Sequence, residues 1–422
     1  MSLAKLGIKD ESIRLFTVRE LIEKDWLYKP LDGNHGEIHP KSEDFVASGV
    51  PFVMASDIVN GRVDYIQCSH VTRKQADSLR KGFAHNGDVL LTHKATIGRT
   101  AIVSYAEQPY IMLTPQVTYY RVKSSREINN KYLRYFFDFQ FFQDTIQLWA
   151  GAGSTRAYLG ITEQQKLPVL LPKIERQEKI ASILSAYDDL IENNRRRIEL
   201  LQKMAEELYR EWFVRFRFPG YQQAKFHKGL PAEWELKKLK DILELCYGKA
   251  LKEEQRQPGD FPVYGSSGVV GSHNKALVAG PGIIVGRKGN VGSVHWSDTG
   301  FFPIDTVYFV KAKASLHYIF FMLGGLNFIN NDSAVPGLNR EQAYSNPVFL
   351  PPAALIEKFE GIVISYFAEK QRLLKKNEVL SEIRDQLLTR LISGKLPVDQ
   401  LDIQFPPSMR EAGVAQQEVA HA

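Results

Sequence analysis

Cysteine is nearly absent. Only Cys68 and Cys246 occur in 422 residues, far apart and each alone, which excludes a disulfide framework and a cysteine-based zinc site. Both are expected to be packed thiols. Long apolar runs are lacking too: no stretch of about 18 apolar residues offers a membrane span. The start, Met1-Ser-Leu-Ala-Lys-Leu-Gly-Ile8, leads straight into charge without the apolar core of a signal peptide. The expectation is a cytoplasmic chain with no membrane partner. Catalytic signatures are missing as well. There is no Gly-x4-Gly-Lys-Ser/Thr phosphate loop, no His-Glu-x-x-His and no Gly-x-Ser-x-Gly elbow, so ATP hydrolysis, zinc proteolysis and serine acyl transfer are not supported. A degenerate nuclease site of two carboxylates and a lysine leaves no such signature and stays open. Gly151-Ala-Gly153 lacks the parallel βαβ context of a phosphate loop. His35 and His39 share one loop and could ligate a metal, but a polar loop contacting a partner is the preferred reading.

What is present is a repeat. Leu167-Pro-Val-Leu-Leu-Pro172 opens a long charged helical pattern, and Asn346-Pro-Val-Phe-Leu-Pro351 opens another. An offset of 179 carries Pro168 onto Pro347, Glu178-Lys179 onto Glu357-Lys358, Tyr187 onto Tyr366 and Leu208 onto Leu387 without a gap. A hydrophobic content of 44% and an aromatic content of 11% are those of a folded protein, and the length fits two domains plus connecting helices. The formal charge of +6 and a pI near 9.0 point weakly to a polyanionic partner.

Before the first long helix the signals are mostly those of strands. Ser12 to Asp25 reads as a short strand or turn and then a helix, Gly49–Met54 and Gly87–Thr92 as strands, and Arg62–Gln67 as a strand alternating at period two. His93 to Arg99 forms a tight turn before strand character resumes at Ala101. Gln116–Val122 is another strand. Asn130–Leu148 reads as one helix whose aromatic stripe (Tyr132, Tyr135, Phe136, Phe137, Phe139, Phe141 and Phe142) belongs to the core. The second half replays this order. Gly282–Gly292 answers Asp88–Gly98, placing Arg287-Lys288 on His93-Lys94 and Asn290 on Thr96.

The long helices carry heptad seams. In the first, Ile180, Leu184, Tyr187, Ile191, Asn194 and Ile198 are spaced alternately by four and three; in the second the equivalents are Phe359, Val363, Tyr366, Lys370, Leu373 and Asn377, with Lys370 and, further on, Arg384 interrupting the hydrocarbon pattern. Asn194 and Asn377 put amides where a seam normally carries hydrocarbon, a device that fixes register at some cost in stability. Pairing the two helices antiparallel satisfies both seams and gives an internal pseudo-twofold axis. The basic run Arg195-Arg196-Arg197 is read as a solvated face. The predicted division is residues 1–172, a first domain; 173–228, helix and linker; 229–351, a second domain; 352–396, the second helix; and 397–422, a disordered tail. The fold class is α+β, with two mostly-β domains separated by two long helices in an antiparallel coiled coil.

In order, doubling and spacing these features resemble the specificity subunit of type I restriction-modification enzymes up to about Leu396. The carriers are the two Pro-Val-Leu/Phe-Leu-Pro boundaries, the paired helices and the turns Lys94-Ala-Thr-Ile-Gly98 and Lys288-Gly-Asn-Val-Gly292. The resemblance implies that each half is a target recognition domain reading one part of a split double-stranded DNA sequence, with the helices as a ruler. It also implies two docked methylation subunits that methylate adenine N6, and restriction subunits that translocate and cut DNA. S-adenosylmethionine, ATP and Mg would then sit in those partners, with no cofactor, metal or catalytic residue in this chain. The glutamine usual near the start of the first helix falls on Gln177, but its repeat equivalent is Ile356. Poor matching between the two domains implies an asymmetric target. By position, the DNA-contacting candidates are Lys94, Thr96 and Arg99 in the first domain and Arg287, Lys288 and Asn290 in the second. Asn34, His35 and Arg156, and Asn339 and Arg340, rank below them. The competing readings are a self-sufficient nuclease or methyltransferase and a coiled-coil adaptor that binds protein without DNA specificity.

Overall fold

The computed structural model describes residues 12–409 except 36–37, 106, 152–156 and 329–336. The chain divides into two compact units, Met1–Glu192 with Glu378–Ala422, and Asn193–Asn377. Each unit therefore takes one sheet domain together with part of each long helix.

In the first unit the boundary motif is a strand: Pro168–Leu171 pairs antiparallel with Arg14–Thr17. Thr17 then caps the helix Val18–Glu23 in a capping box with Glu20. A four-stranded antiparallel sheet follows, ordered Leu31–Asp32, Val117–Tyr120, Val89–Lys94, Thr96–Ile102. A second sheet is ordered Ser69–Val71, Val50–Val53, Ile111–Leu113, Phe83–Ala84. The second unit repeats the plan. Glu235–Lys238 pairs with the boundary strand Pro347–Leu350, and four strands are ordered Leu243–Tyr247, Val307–Ala312, Gly282–Gly286, Val294–Ser297. Three more are ordered Gly268–His273, Phe261–Gly265, Phe302–Pro303. In both units the boundary strand pairs with a strand from the start of its own sheet domain and delivers the chain into a long helix.

Those helices run over Ile174–Tyr209 and Ala353–Ile392. In the first unit Ile180 and Leu184 share a core with Leu388, Leu391 and Ile392, and Asp188 meets Arg384. In the second unit Asn194 Nδ2 donates to Asn377 Oδ1 at 2.8 Å, Arg197 meets Glu369, and Trp212 packs on Phe359. Rising numbers on one helix meet falling numbers on the other, so the pairing is antiparallel. Ile180, Leu184, Ile191, Phe359, Val363 and Leu373 are buried, and Tyr187 and Tyr366 half-buried. The two seam amides satisfy one another, which removes the cost of burying either alone. Lys370 and Arg384, which interrupt the hydrocarbon pattern, are also partnered: Lys370 lies 3.5 Å from Asp298 and Arg384 2.7 Å from Asp188.

Three expectations need correction. Asn130–Leu148 is two helices, Asn130–Asp138 and Gln140–Trp149, because Phe139 adopts extended backbone between them. The bend lets Phe137 and Phe142 stack with centroids 4.4 Å apart, and the aromatic stripe is core as expected. Arg62–Gln67 is a strand only at Arg62–Val63; the chain then turns on Asp64, whose carboxylate accepts from the Ile66 and Gln67 amides. The segment from 397 to 409 is not a loose tail. Val398 is fully buried, Lys179 donates to the Asp399 carbonyl, Ser182 to that of Gln404, and Lys131 to Ser408. Residues 410–422 lie outside the described residues. The Gln177 and Ile356 positions differ in chemistry, in line with the departure noted in the sequence. Gln177 is buried and bonds the Glu127 and Pro172 carbonyls and the Asn129 amide, whereas Ile356 joins an apolar core.

Candidate nucleic-acid interface

Two hairpin turns, one per unit, carry the main candidates. In the first unit the strands Val89–Lys94 and Thr96–Ile102 leave a single residue between them, Ala95, at φ 63°. A non-glycine residue holds that left-handed conformation only when its surroundings fix it. Here Ala95 N–H donates to the Ala157 carbonyl at 3.1 Å and Leu159 N–H to that of His93 at 3.0 Å. His93 itself is buried, with Nδ1 3.0 Å from the Leu159 carbonyl oxygen; burial pushes its pKa below the usual imidazole value. Lys94 and Thr96 are left exposed at the tip, beside Tyr158, which bridges to Lys94 and is itself exposed.

The second unit repeats the device with a longer loop. Residues 287–293 join Gly282–Gly286 to Val294–Ser297, and Gly289 and Gly292 turn it with φ of 78° and 77°. Leu338 N–H donates to the Arg287 carbonyl at 2.8 Å, and Lys288 bridges to Gly337. Leu338 and Gly337 stand in the repeat where Leu159 and Tyr158 stand in the first unit. Each turn is thus clamped by the segment that precedes the boundary strand. Lys288 and Asn290 are exposed; the Asn290 backbone is fixed by Ser293 Oγ, which donates to its carbonyl at 2.9 Å.

The remaining candidates separate. Arg99 is exposed but away from Lys94 and Thr96: its Nη1 reaches the Ala55 carbonyl at 3.3 Å, and it lines a cavity of about 550 Å³ shared with Arg134, Asp138 and Arg384. Asn34 is buried, and its Oδ1 accepts from Arg80 N–H, so it presents no reading surface. His35 is exposed and bonds Asp32 at 2.6 Å. His39 Nδ1 faces the Asn34 carbonyl at 3.0 Å, and among the described residues no cluster of three metal-ligating side chains occurs. Asn339 caps the helix Arg340–Tyr344 by accepting from the Glu341 and Gln342 amides; its side chain is committed to that cap. Arg287 is half-buried, its Nε and Nη2 donating to the Asp305 carbonyl. Arg156 lies outside the described residues.

Three residues escaped the sequence reading. Asp32 is paired on its sheet with Thr118, and Tyr247 occupies the corresponding place opposite Tyr308. Asp32 is bonded by Lys81 as well as His35. Burial works to raise its pKa, but those two bonds outweigh burial and hold the carboxyl below its usual value. Tyr247 has instead the guanidiniums of Arg287 and Arg340 over its ring, each 5.2 Å from the centroid. A single acidic or aromatic residue at a strand end leaves no signal; only aligning the two sheets marks the position. One scaffold therefore carries two different chemistries at one site.

A duplicated α+β domain, each copy with a clamped basic turn and each followed by one of two long antiparallel helices, defines an internally repeated scaffold. Residues 23–203 and 231–381 each match the type I restriction modification DNA specificity domain. The type I restriction enzyme MjaIX specificity subunit of Methanocaldococcus jannaschii is 25% identical over 420 residues, covering 90% of this chain and 95% of that one. The putative type I restriction enzyme MjaX specificity subunit of the same organism is 23% identical and covers 55% of each chain. The crystal structure of the type I restriction-modification S subunit from M. genitalium has the same fold, with a TM-score of 0.51 at 19% identity, over 90% of this chain and 96% of that one. The chain belongs to the type I restriction modification DNA specificity family, with the domain present twice. Among the described residues no helix is long and apolar enough to cross a membrane.

Proposed function

We propose that this chain is the DNA-reading, non-catalytic subunit of a cytoplasmic type I restriction-modification complex, each unit contacting one half of a split, asymmetric double-stranded target. The helices Ile174–Tyr209 and Ala353–Ile392 set the unread gap. They also seat two methylation subunits, which would bring S-adenosylmethionine and modify adenine N6; restriction subunits would bring ATP and Mg. The observation that carries the asymmetry is the pair of unlike clusters at one sheet position, Asp32 with Lys81 and His35 against Tyr247 with Arg287 and Arg340. A carboxylate on one side and two guanidiniums on the other mean that the two units do not contact the duplex in the same way, which supports unlike half-sites. The exposed turns supply the basic and amide groups that phosphates and base edges accept.

Lys94→Ala and Lys288→Ala test the turn assignment, with binding of the assembled methyltransferase to its target as readout. A turn side chain that reaches a base edge contributes about 1–3 kcal/mol, so each variant should bind roughly ten- to a hundredfold more weakly or tolerate changes in one half-site only. Unchanged affinity and specificity in both would remove the turns from the interface.

A further inference from the structure

Tyr247 ends the strand Leu243–Tyr247 with its side chain half in solvent, 52% exposed. Its ring packs against that of Tyr308 at 5.1 Å. Tyr308 is anchored in turn, its hydroxyl donating to the Leu338 carbonyl at 3.1 Å. Over the Tyr247 ring sit two cations from separate segments: Arg287 from the hairpin loop, Arg340 from the start of the helix Arg340–Tyr344. The ring's negative face attracts a guanidinium by about 0.5–1 kcal/mol at an exposed site. Two positive groups sharing one ring nevertheless repel each other.

Among the described residues, the neutralising groups beside the two guanidiniums are few. Asp305 offers Arg287 its backbone carbonyl rather than its carboxylate, and Glu341, 3.8 Å from Arg340 Nε, is 79% exposed, where an ion pair is weak. The exposed Lys288 lies next in the chain to Arg287. The arrangement is a pre-positioned pair of cations on one ring.

Resting on the DNA-reading function proposed above, we infer that Tyr247, Arg287 and Arg340 form a clamp for the phosphodiester backbone at the half-site read by the second unit. Tyr247 acts as a positioning residue that holds both guanidiniums. Arg287 is thereby reassigned from base reading to backbone contact. Its Nε and Nη2 are spent on its own chain and its plane is drawn onto a ring, whereas reading guanine O6 and N7 requires a guanidinium extended into the major groove. A phosphate needs only N–H groups on the surface the clamp already presents. The first unit puts a carboxylate at the matching position, so the clamp belongs to one half-site.

The assembled methyltransferase, titrated with a duplex bearing its target and with a scrambled duplex of equal length at several salt concentrations, distinguishes the possibilities. A phosphate clamp predicts that Tyr247→Ala weakens both duplexes alike, on the order of tenfold. Removing the two cations together, Arg287→Ala with Arg340→Ala, should reduce the slope of log K against log salt by about 1.8. Tyr247→Phe keeps the ring and should bind as the parent does. Arg340→Gln, a near-isosteric change of a half-buried side chain at the first residue of a short helix, carries the test should Tyr247→Ala fail to fold; it should reduce the slope by about 0.9. Unaltered slopes, or losses confined to the target duplex with one base position relaxed, would overturn the clamp while leaving DNA reading intact. Loss of neither affinity nor specificity in these variants and in Lys94→Ala would count against DNA reading itself.

Discussion

Asp188→Ala is expected to destabilise the first unit by about 3–5 kcal/mol, the usual cost of stranding a buried charge. Asp188 lies on the first long helix and accepts from Arg134 Nη1 at 2.9 Å, from Arg384 Nη1 at 2.7 Å and from the Tyr135 hydroxyl at 2.6 Å. Arg134 belongs to the domain helix Asn130–Asp138, and Arg384 to the second long helix. One carboxylate thus ties three elements of the unit together. Without it the Arg134 guanidinium, 6% exposed, keeps only Asp138 as a carboxylate partner among the described residues, and Arg384 keeps only the exposed Asp385 among them. Thermal or urea unfolding of Asp188→Ala beside the parent measures the loss; a change under about 1 kcal/mol would mean the network is not structural.

The same carboxylate gives a pH signature. Burial alone would raise the Asp188 pKa, but Arg134 and Arg384 outweigh it and hold it below the usual value. A depressed folded pKa stabilises above the unfolded value, about 3.9, and that contribution is lost as pH falls through the folded pKa. The parent should therefore lose stability on acidification below about pH 4 more steeply than Asp188→Asn, whose side chain does not titrate. Parallel acid limbs in the two proteins would contradict the assignment.

Lengthening both long helices by one heptad, between Glu192 and Asn193 and between Asn377 and Glu378, is expected to change the gap of the DNA target and nothing else. Seven residues add about 10 Å of helix, against 3.4 Å per base pair along one strand. The gap should therefore widen by at most about three base pairs. A seven-residue insertion preserves the seam, so Asn194 and Asn377 keep each other as partners. The side chains on the hairpins and at Tyr247 are untouched, and both half-sites should survive unchanged. Sequencing that detects methylated adenines reads gap and half-sites together; an unchanged gap with methylation retained would remove the ruler.

Much of this molecule was written in its periodicities. The 179-residue repeat located both boundary strands and both helices, and the alternation of four and three located the seam. What escaped depends on contacts between distant residues. Phe139 breaks a helical pattern because Phe137 and Phe142 stack across it, a tertiary gain that propensity cannot register. The polar residues after 397 dock because Lys131, Lys179 and Ser182 meet their backbone. At the candidate interface the turn positions were legible from composition, but their roles were not. Asn339 is spent on a helix cap, Asn34 is buried, and Arg99 faces a cavity. Tyr247 carries no motif; its place is marked by the alignment of the two sheets, and its role by Arg287 and Arg340 over its ring.

The central claim is that two unlike recognition units read two unlike half-sites at a fixed distance. Mapping methylated adenines in a genome that expresses this chain with its methylation subunits tests it most directly. A single split motif with two different half-sites and a constant unread gap is the expected result. A continuous motif, two identical half-sites in inverted order, or no motif despite an active methylation subunit would contradict it.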